Sequence, residues 1–219
     1  MSSSPRAATV ALVPLRAPGV GKSRLAGTLS VEGRAALAGA MLADVAAALR
    51  SSPVDRIVVA AGGPTAIAAA SALGLEALAD PVGASGLDGA LAAAAGRLGP
   101  VGTLVVVAAD LPCLCAEDVT ALLGHDAEVV VAPTSDGGTG ALLRRPPDAC
   151  PTAYGPGSGL RHLALARAAG RRTAEAALAG FAHDVDVAED LVRLTAADLP
   201  PLGARTAALL DQLDIAVAG

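Results

Sequence analysis

The chain has 219 residues but no tryptophan, one tyrosine and one phenylalanine. Its core must therefore be built from aliphatic side chains, and stacking of bases or sugar rings on aromatic platforms is nearly excluded. Cysteine is equally scarce: Cys113, Cys115 and Cys150 include no C-x-x-C pair. That argues against a disulfide framework or a zinc ribbon, and free buried thiols are expected. There is no basic run, and the formal net charge is −5, which argues against a nucleic-acid partner. A local basic pocket for a phosphorylated small molecule remains compatible with that balance. No apolar segment reaches about 18 residues without a charged or loop-forming interruption, so no membrane span is expected. Met1 to Arg6 is polar and lacks the apolar stretch of a signal peptide, so a reducing cytoplasm is the expected compartment.

What is present is a repeating alternation. Short β-branched runs are followed by longer alanine-rich segments, the pattern of βαβ units around a mainly parallel sheet. Strands are expected at Thr9–Pro14, Arg56–Ala61, Leu75–Ala79, Thr103–Ala109 and Ala127–Ala132, with a further one, antiparallel, within 133–154. Phe181–Val187 is also expected to be a short strand. Helices are expected over Val31–Leu49, after the break Gly62-Gly63-Pro64 to about Leu73, and over Leu87–Leu98, Ala116–Leu123, Gly159–Ala169, Ala188–Leu194 and Leu202–Leu213. Ser30 reads as the N-cap of the first. A chain of this length can bury about 70% of its unfolded surface, and no repeat or long linker divides it. A single domain, 1–219, is expected.

Several stretches carry chemistry. "VALVPLRAPGVGKSRL" (Val10–Leu25) ends like a phosphate-binding P-loop, Gly21-Lys22-Ser23. That motif needs a glycine five residues before its second glycine, and Arg16 stands there. The loop can still meet a triphosphate: Lys22 as a point charge and Arg24 as a fork, with Gly19 and Gly21 letting the backbone approach. An exposed turn with solvated basic residues is the bland alternative. Asp110 lies where the apolar strand "TLVVVAA" gives out, the end at which parallel sheets bind ligands. It suits Mg²⁺, which takes oxygen ligands and substrate phosphates; capping of the next turn is the alternative. Asp184 and Asp186 in "HDVDVAEDL" fall on one face of an extended segment, where they repel unless a cation offsets them. A solvated acidic turn before a helix would look the same. "DGGTG" (136–140) and "YGPGSG" (154–159) are glycine turns with one hydroxyl each besides Tyr154. Ser158, before a helix, could bind an anion through its hydroxyl and the backbone N–H groups. His125, His162 and His183 read as surface or packing residues.

The motifs "VPLRAPGVGKSRL", "AADLP", "DGGTGALL", "YGPGSGLRHL" and "HDVDVAEDL" occur in this order over Val10–Leu194. In that series the chain resembles the 2-phospholactate or phosphoenolpyruvate guanylyltransferases (CofC/FbiD) of coenzyme F-420 biosynthesis. The resemblance implies an α/β, Rossmann-like nucleotidyltransferase fold of the nucleotide-diphospho-sugar transferase type, with a mainly parallel sheet and helices on both faces. It implies an enzyme joining GTP to a phosphorylated three-carbon acid with Mg²⁺ as cofactor and release of pyrophosphate. By the same carry-over Asp110, Asp184 and Asp186 would hold metal, and Thr139, Gly155 and Ser158 would bind the acid. Pro14, Arg16, Gly21, Lys22 and Asp88 would line the nucleotide, with Lys22, Arg24 and Asp110 catalytic. Two departures stand out: Arg16 in place of a lysine, and Asp88 where relatives often have asparagine, which bears on the guanine preference. Phosphoenolpyruvate is favoured as acceptor on the actinobacterial look of the composition, with 2-phospho-L-lactate the rival. A hand-off of product to the next deazaflavin-pathway transferase is a further expectation. Another nucleotidyltransferase of the same fold and a GTP-binding regulator are the alternatives.

Overall fold

The computed structural model describes residues 7–16, 23–81, 86–194 and 199–213. Its frame is a seven-stranded sheet: β1 (Thr9–Arg16), β2 (Arg56–Gly62), β3 (Glu76–Ala79), β4 (Thr103–Val107), β5 (Val129–Ala132), β6 (Ala141–Arg144) and β7 (Thr173–Glu175), in spatial order β3-β2-β1-β4-β6-β5-β7. All pairings are parallel except those of β6, which runs antiparallel between β4 and β5. The helices are α1 (Val31–Arg50), α2 (Pro64–Ala72), α3 (Gly86–Ala95), α4 (Ala116–Gly124), α5 (Ser158–Ala168), α6 (Ala179–Ala182), α7 (Ala188–Arg193) and α8 (Ala204–Gln212). Among the described residues no helix is long and apolar enough to cross a membrane.

The strands are apolar throughout because both faces of the sheet are covered. Ala11, Val13 and Leu15 of β1 pack with α1, α2 and α4, while Val10 and Leu12 pack with α3 and α5. A third aliphatic cluster joins Leu37 and Met41 of α1 to Val185, Leu191 of α7 and Leu210 of α8. Ser30 caps α1 by accepting from Gly33 N–H at 3.0 Å, as expected. The start of α8 is held from afar: the buried Asp44 carboxylate of α1 accepts from Arg205 N–H, Thr206 N–H and Thr206 Oγ1–H at 3.0, 2.8 and 2.7 Å.

The mainly parallel sheet and its antiparallel insertion are as expected, with two corrections. Phe181–Val187 is not a strand. Phe181 and Ala182 form the last half of the short helix α6, and 183–186 are irregular; the alternating valines had the strand period but no neighbouring strand with which to pair. The edge strand β7, only three residues long, went unpredicted. Cys113 and Cys150 are buried free thiols, whereas Cys115 is exposed, its Sγ 3.0 Å from Asp118 Oδ2.

Candidate functional site

The order of the strands places the site. The chain builds β1, β2 and β3 outward in one direction, then returns to lay β4 on the other side of β1. Such a reversal opens a crevice beyond the carboxyl ends of the two central strands. Arg16 ends β1 at this crevice, and Asp110 follows β4 there. An open cleft on the β1–β2 side is lined by Pro14, Leu15, Arg16, Ala60, Asp80, Leu87 and Ala90. Within it the Asp80 Oδ1 is buried and, among the described residues, has no hydrogen-bond partner. Asp88, in the first turn of α3, instead accepts from Tyr154 N–H at 3.1 Å, tying α3 to the glycine turn before α5. Arg24 is exposed in a short 3-10 helix, Ser23–Leu25. Gly21 and Lys22 lie outside the described residues.

On the β4–β6 side, backbone hydrogen bonds clamp the 182–185 segment. Val185 N–H donates to Asp110 O at 3.2 Å, and Ser135 N–H to Ala182 O at 2.8 Å. Glycine makes the close approach feasible: a Cβ on Gly140 would stand 2.4 Å from Phe181 O. Buried Val185 turns inward between Asp184 and Asp186, so these two carboxylates point away from it. The Asp184 carboxyl is pushed up to about 7, first by burial, then by the charges of Asp110, Asp136 and Asp186. Asp110, Asp136 and Asp186 thus all lie within electrostatic reach of Asp184. Of these, Asp136 was read only as part of a turn. Its Oδ1 accepts from Thr134 Oγ1–H at 2.5 Å and Gly138 N–H at 2.9 Å, which holds it below the usual carboxylate range. The donors are all oxygens, the set a hard divalent cation takes. Among the described residues no three His, Cys, Asp or Glu groups are drawn together closely enough to close around an ion.

The two glycine turns meet beside these carboxylates. Thr139 Oγ1 is 2.8 Å from Ser158 Oγ, and both side chains are buried. Gly155, at φ +120°, has a backbone suited to glycine. One expectation changes here. The first N–H groups of α5 are already engaged, Ser158 with Gly155 O at 3.0 Å and Gly159 with Gly137 O at 3.2 Å. An anion at this helix end would meet hydroxyls rather than those two amides. His162, read as a packing or surface residue, is fully buried behind the pair, with Nδ1 3.1 Å from Thr139 Oγ1.

Residues 9–217 match the family model for guanylyl transferase CofC-like proteins. The chain belongs to this CofC-like guanylyl transferase family. It is 36% identical over 206 residues to a phosphoenolpyruvate guanylyltransferase of Sphaerobacter thermophilus, covering 90% of this chain and 96% of that one. A 2-phospho-L-lactate guanylyltransferase of Methanothermobacter thermautotrophicus is 35% identical, with 84% and 82% covered. A 3-phospho-D-glycerate guanylyltransferase of Phenylobacterium zucineum is 36% identical, with 88% and 90% covered. In fold, the chain is similar to a Desulfovibrio desulfuricans G20 structure assigned as a nucleotide-diphospho-sugar transferase. The TM-score is 0.76 at 17% identity, covering 94% of this chain and 95% of the other. The fold is therefore of the nucleotidyltransferase type expected from the sequence. The CofC-like chain brings Asp110, Asp184 and Asp186 to one crevice and Thr139, Gly155 and Ser158 to its flank, with Pro14 and Arg16 in the adjoining cleft. Asp80, Asp136 and His162 are candidate site residues that the motifs did not assign. Asp136 and His162 carried a signal, lying inside the motifs "DGGTGALL" and "YGPGSGLRHL"; Asp80 carried none.

Proposed function

We infer that the protein is a guanylyltransferase that joins GTP to a phosphorylated three-carbon acid, with phosphoenolpyruvate the favoured acceptor and 2-phospho-L-lactate the rival. The observation that carries this reading is the meeting, in one crevice, of a repelling carboxylate group with a buried hydroxyl pair. The first is suited to divalent metal and phosphates, the second to a small anion. A phosphate oxygen of the acid attacks the α-phosphorus of GTP, a new P–O bond forms, and the bond to the β-phosphate oxygen breaks to release pyrophosphate. The attacking phosphate is already anionic near neutral pH, so the step needs position and charge neutralisation rather than a protein nucleophile.

Asp110, Asp184 and Asp186 would hold Mg²⁺ in this reading, with Asp136 beside them; bound there, the metal would supply charge neutralisation and orientation to the phosphates. Thr139, Ser158 and the Gly155 turn orient the acid's phosphate. Arg16, Lys22 and Arg24 face the triphosphate, with Gly21 letting the backbone come close. Pro14 and Arg16 line the nucleoside cleft. Asp80 supplies the acceptor that the N1–H and N2–H edge of guanine requires, while Asp88 shapes the turn that carries Ser158. The protein works as one domain, 1–219, in the cytoplasm, and passes its activated product to the next transferase of the deazaflavin pathway. The test is pyrophosphate release with each nucleoside triphosphate against phosphoenolpyruvate, 2-phospho-L-lactate and 3-phospho-D-glycerate. Release with GTP and one acid is the expected result. Bound GTP without turnover on any acid would favour a regulator instead.

A further inference from the structure

The wiring behind the hydroxyl pair has a direction. His162 follows Ser158 by four residues on α5, so both side chains leave the same face of the helix. The imidazole is wholly buried. Its Nε2 lies 2.8 Å from Ala153 N. A backbone N–H can only donate, so Nε2 accepts and carries no proton. A neutral imidazole with a bare Nε2 holds its proton on Nδ1, and Nδ1 lies 3.1 Å from Thr139 Oγ1. The ring therefore donates to Thr139. Between them Thr139 and Ser158 have two hydroxyl protons, and their 2.8 Å contact uses one. Because the ring is a donor, it takes neither, and one proton remains for a bound anion. The opposite tautomer would accept from Thr139, and both protons would then be consumed within the protein. A phosphate would face only oxygen lone pairs.

We propose that His162 is a positioning residue that locks the Thr139–Ser158 pair as a net hydrogen-bond donor to the phosphate of the acid substrate. It rests on the reading of that pair as the acid's phosphate contacts. The surroundings keep the ring neutral. Burial is the largest influence; Asp88 from α3 favours the charged form, while Arg144 of β6 and Arg161 of α5 oppose it, and the ring titrates at about 4. Tyr154 packs against the ring edge to face, centroids 4.9 Å apart and planes at 71°, and restrains it from turning.

The test has two arms. Nitrogen-15 NMR of the histidines in the full-length protein, assigned by comparison with His162→Gln, reads the tautomer directly. The proton on Nδ1 at neutral pH, opposite to the tautomer favoured in water, is expected; a proton on Nε2 overturns the proposal. Calorimetric titration with phosphoenolpyruvate reads the consequence. His162→Gln can still accept from Ala153 N–H but brings no donor to Thr139, and a loss of affinity of about tenfold is expected, the scale of one hydrogen bond. His162→Asn places its amide donor near the Nδ1 position and should recover most of that loss. KM for GTP should hold within about twofold in both. Each variant gives up one of two hydrogen bonds, so a merely structural role predicts equal effects, and equal affinities in the two variants would overturn the proposal. An Nδ1–H ring in a protein that transfers no guanylyl group would instead refute the functional reading while leaving the wiring intact.

Discussion

Replacing Asp184 by asparagine should make the metal-free protein more stable while abolishing its activity. The folded carboxyl titrates at about 7 against an ordinary 3.8. Between these values the folded chain retains a proton that the unfolded chain has released, so stability falls as pH rises through that window and is lowest above it. At about 1.4 kcal/mol per pH unit, the full cost of the charged form is about 4 kcal/mol. Asp184 is only partly buried, and solvent screening reduces the figure to about 2 kcal/mol. Asparagine keeps the shape without the charge. In EDTA at pH 8, Asp184→Asn should melt about 4–8 °C above the natural protein, from about 2–4 °C per kcal/mol for a chain of this size. The gap should shrink to less than half at pH 5 and close near pH 4. Saturating Mg²⁺ should raise the melting point of the natural protein at pH 8 and narrow the gap. Differential scanning fluorimetry with an extrinsic dye measures all of this. A variant no more stable at pH 8, or a gap that ignores pH, would refute the claim that repulsion and burial strain this carboxylate.

Other outcomes follow from packing and hydrogen bonding. Asp44→Ala removes three acceptor contacts from the start of α8 and leaves buried donors unmatched; chemical denaturation should show a loss of about 3 kcal/mol. Gly140→Ala forces a Cβ against Phe181 O, displacing the segment that carries Asp184, so both stability and kcat should fall, the latter by about tenfold or more. Asp80→Asn replaces one of the two carboxylate acceptors proposed for the guanine N1–H and N2–H edge by an amide donor; kcat/KM for GTP should drop by about tenfold to a hundredfold with the acid's KM unmoved, and an unchanged preference among nucleotides would remove Asp80 from base recognition. Asp110→Asn or Asp186→Asn should lose Mg²⁺-dependent pyrophosphate release by orders of magnitude with the fold intact by circular dichroism.

Much of the frame could be read directly because it follows from local rules. The run Leu104–Val107 is continuous and apolar since a central parallel strand has no wet face. Ser30 announces α1, and Asp110 announces the crevice by standing where that apolar run ends. The failures are non-local. "DVDV" has a strand's period, but being a strand depends on a partner, and only the fold reveals that Val185 bonds to Asp110 O instead. Asp136 looks like any turn aspartate until the 134–140 loop is seen beside Asp184. His162 is indistinguishable from a packing residue along the chain: what defines it are Ala153, nine residues back, and Thr139, twenty-three residues back. Asp88, a nucleotide contact by its motif, also reaches far along the chain: its Oδ1 accepts from Tyr154 N–H, sixty-six residues on.

The reversed strand β6 also has an evolutionary consequence. Because it runs antiparallel beside β4, the connection from β5 returns to the crevice as a short hairpin tip, 133–140, hung between two buried strands. The tip carries Thr139, proposed above to meet the acid, whereas the cleft proposed for the nucleoside is lined from β1, β2 and α3. The two patches rest on different strands, joined through the Asp88–Tyr154 hydrogen bond between α3 and the turn before α5. Such a separation lets lineages exchange the acid they activate while keeping one nucleotide donor. Relatives of near-equal similarity named for three different phosphorylated acids are what this modularity would leave behind.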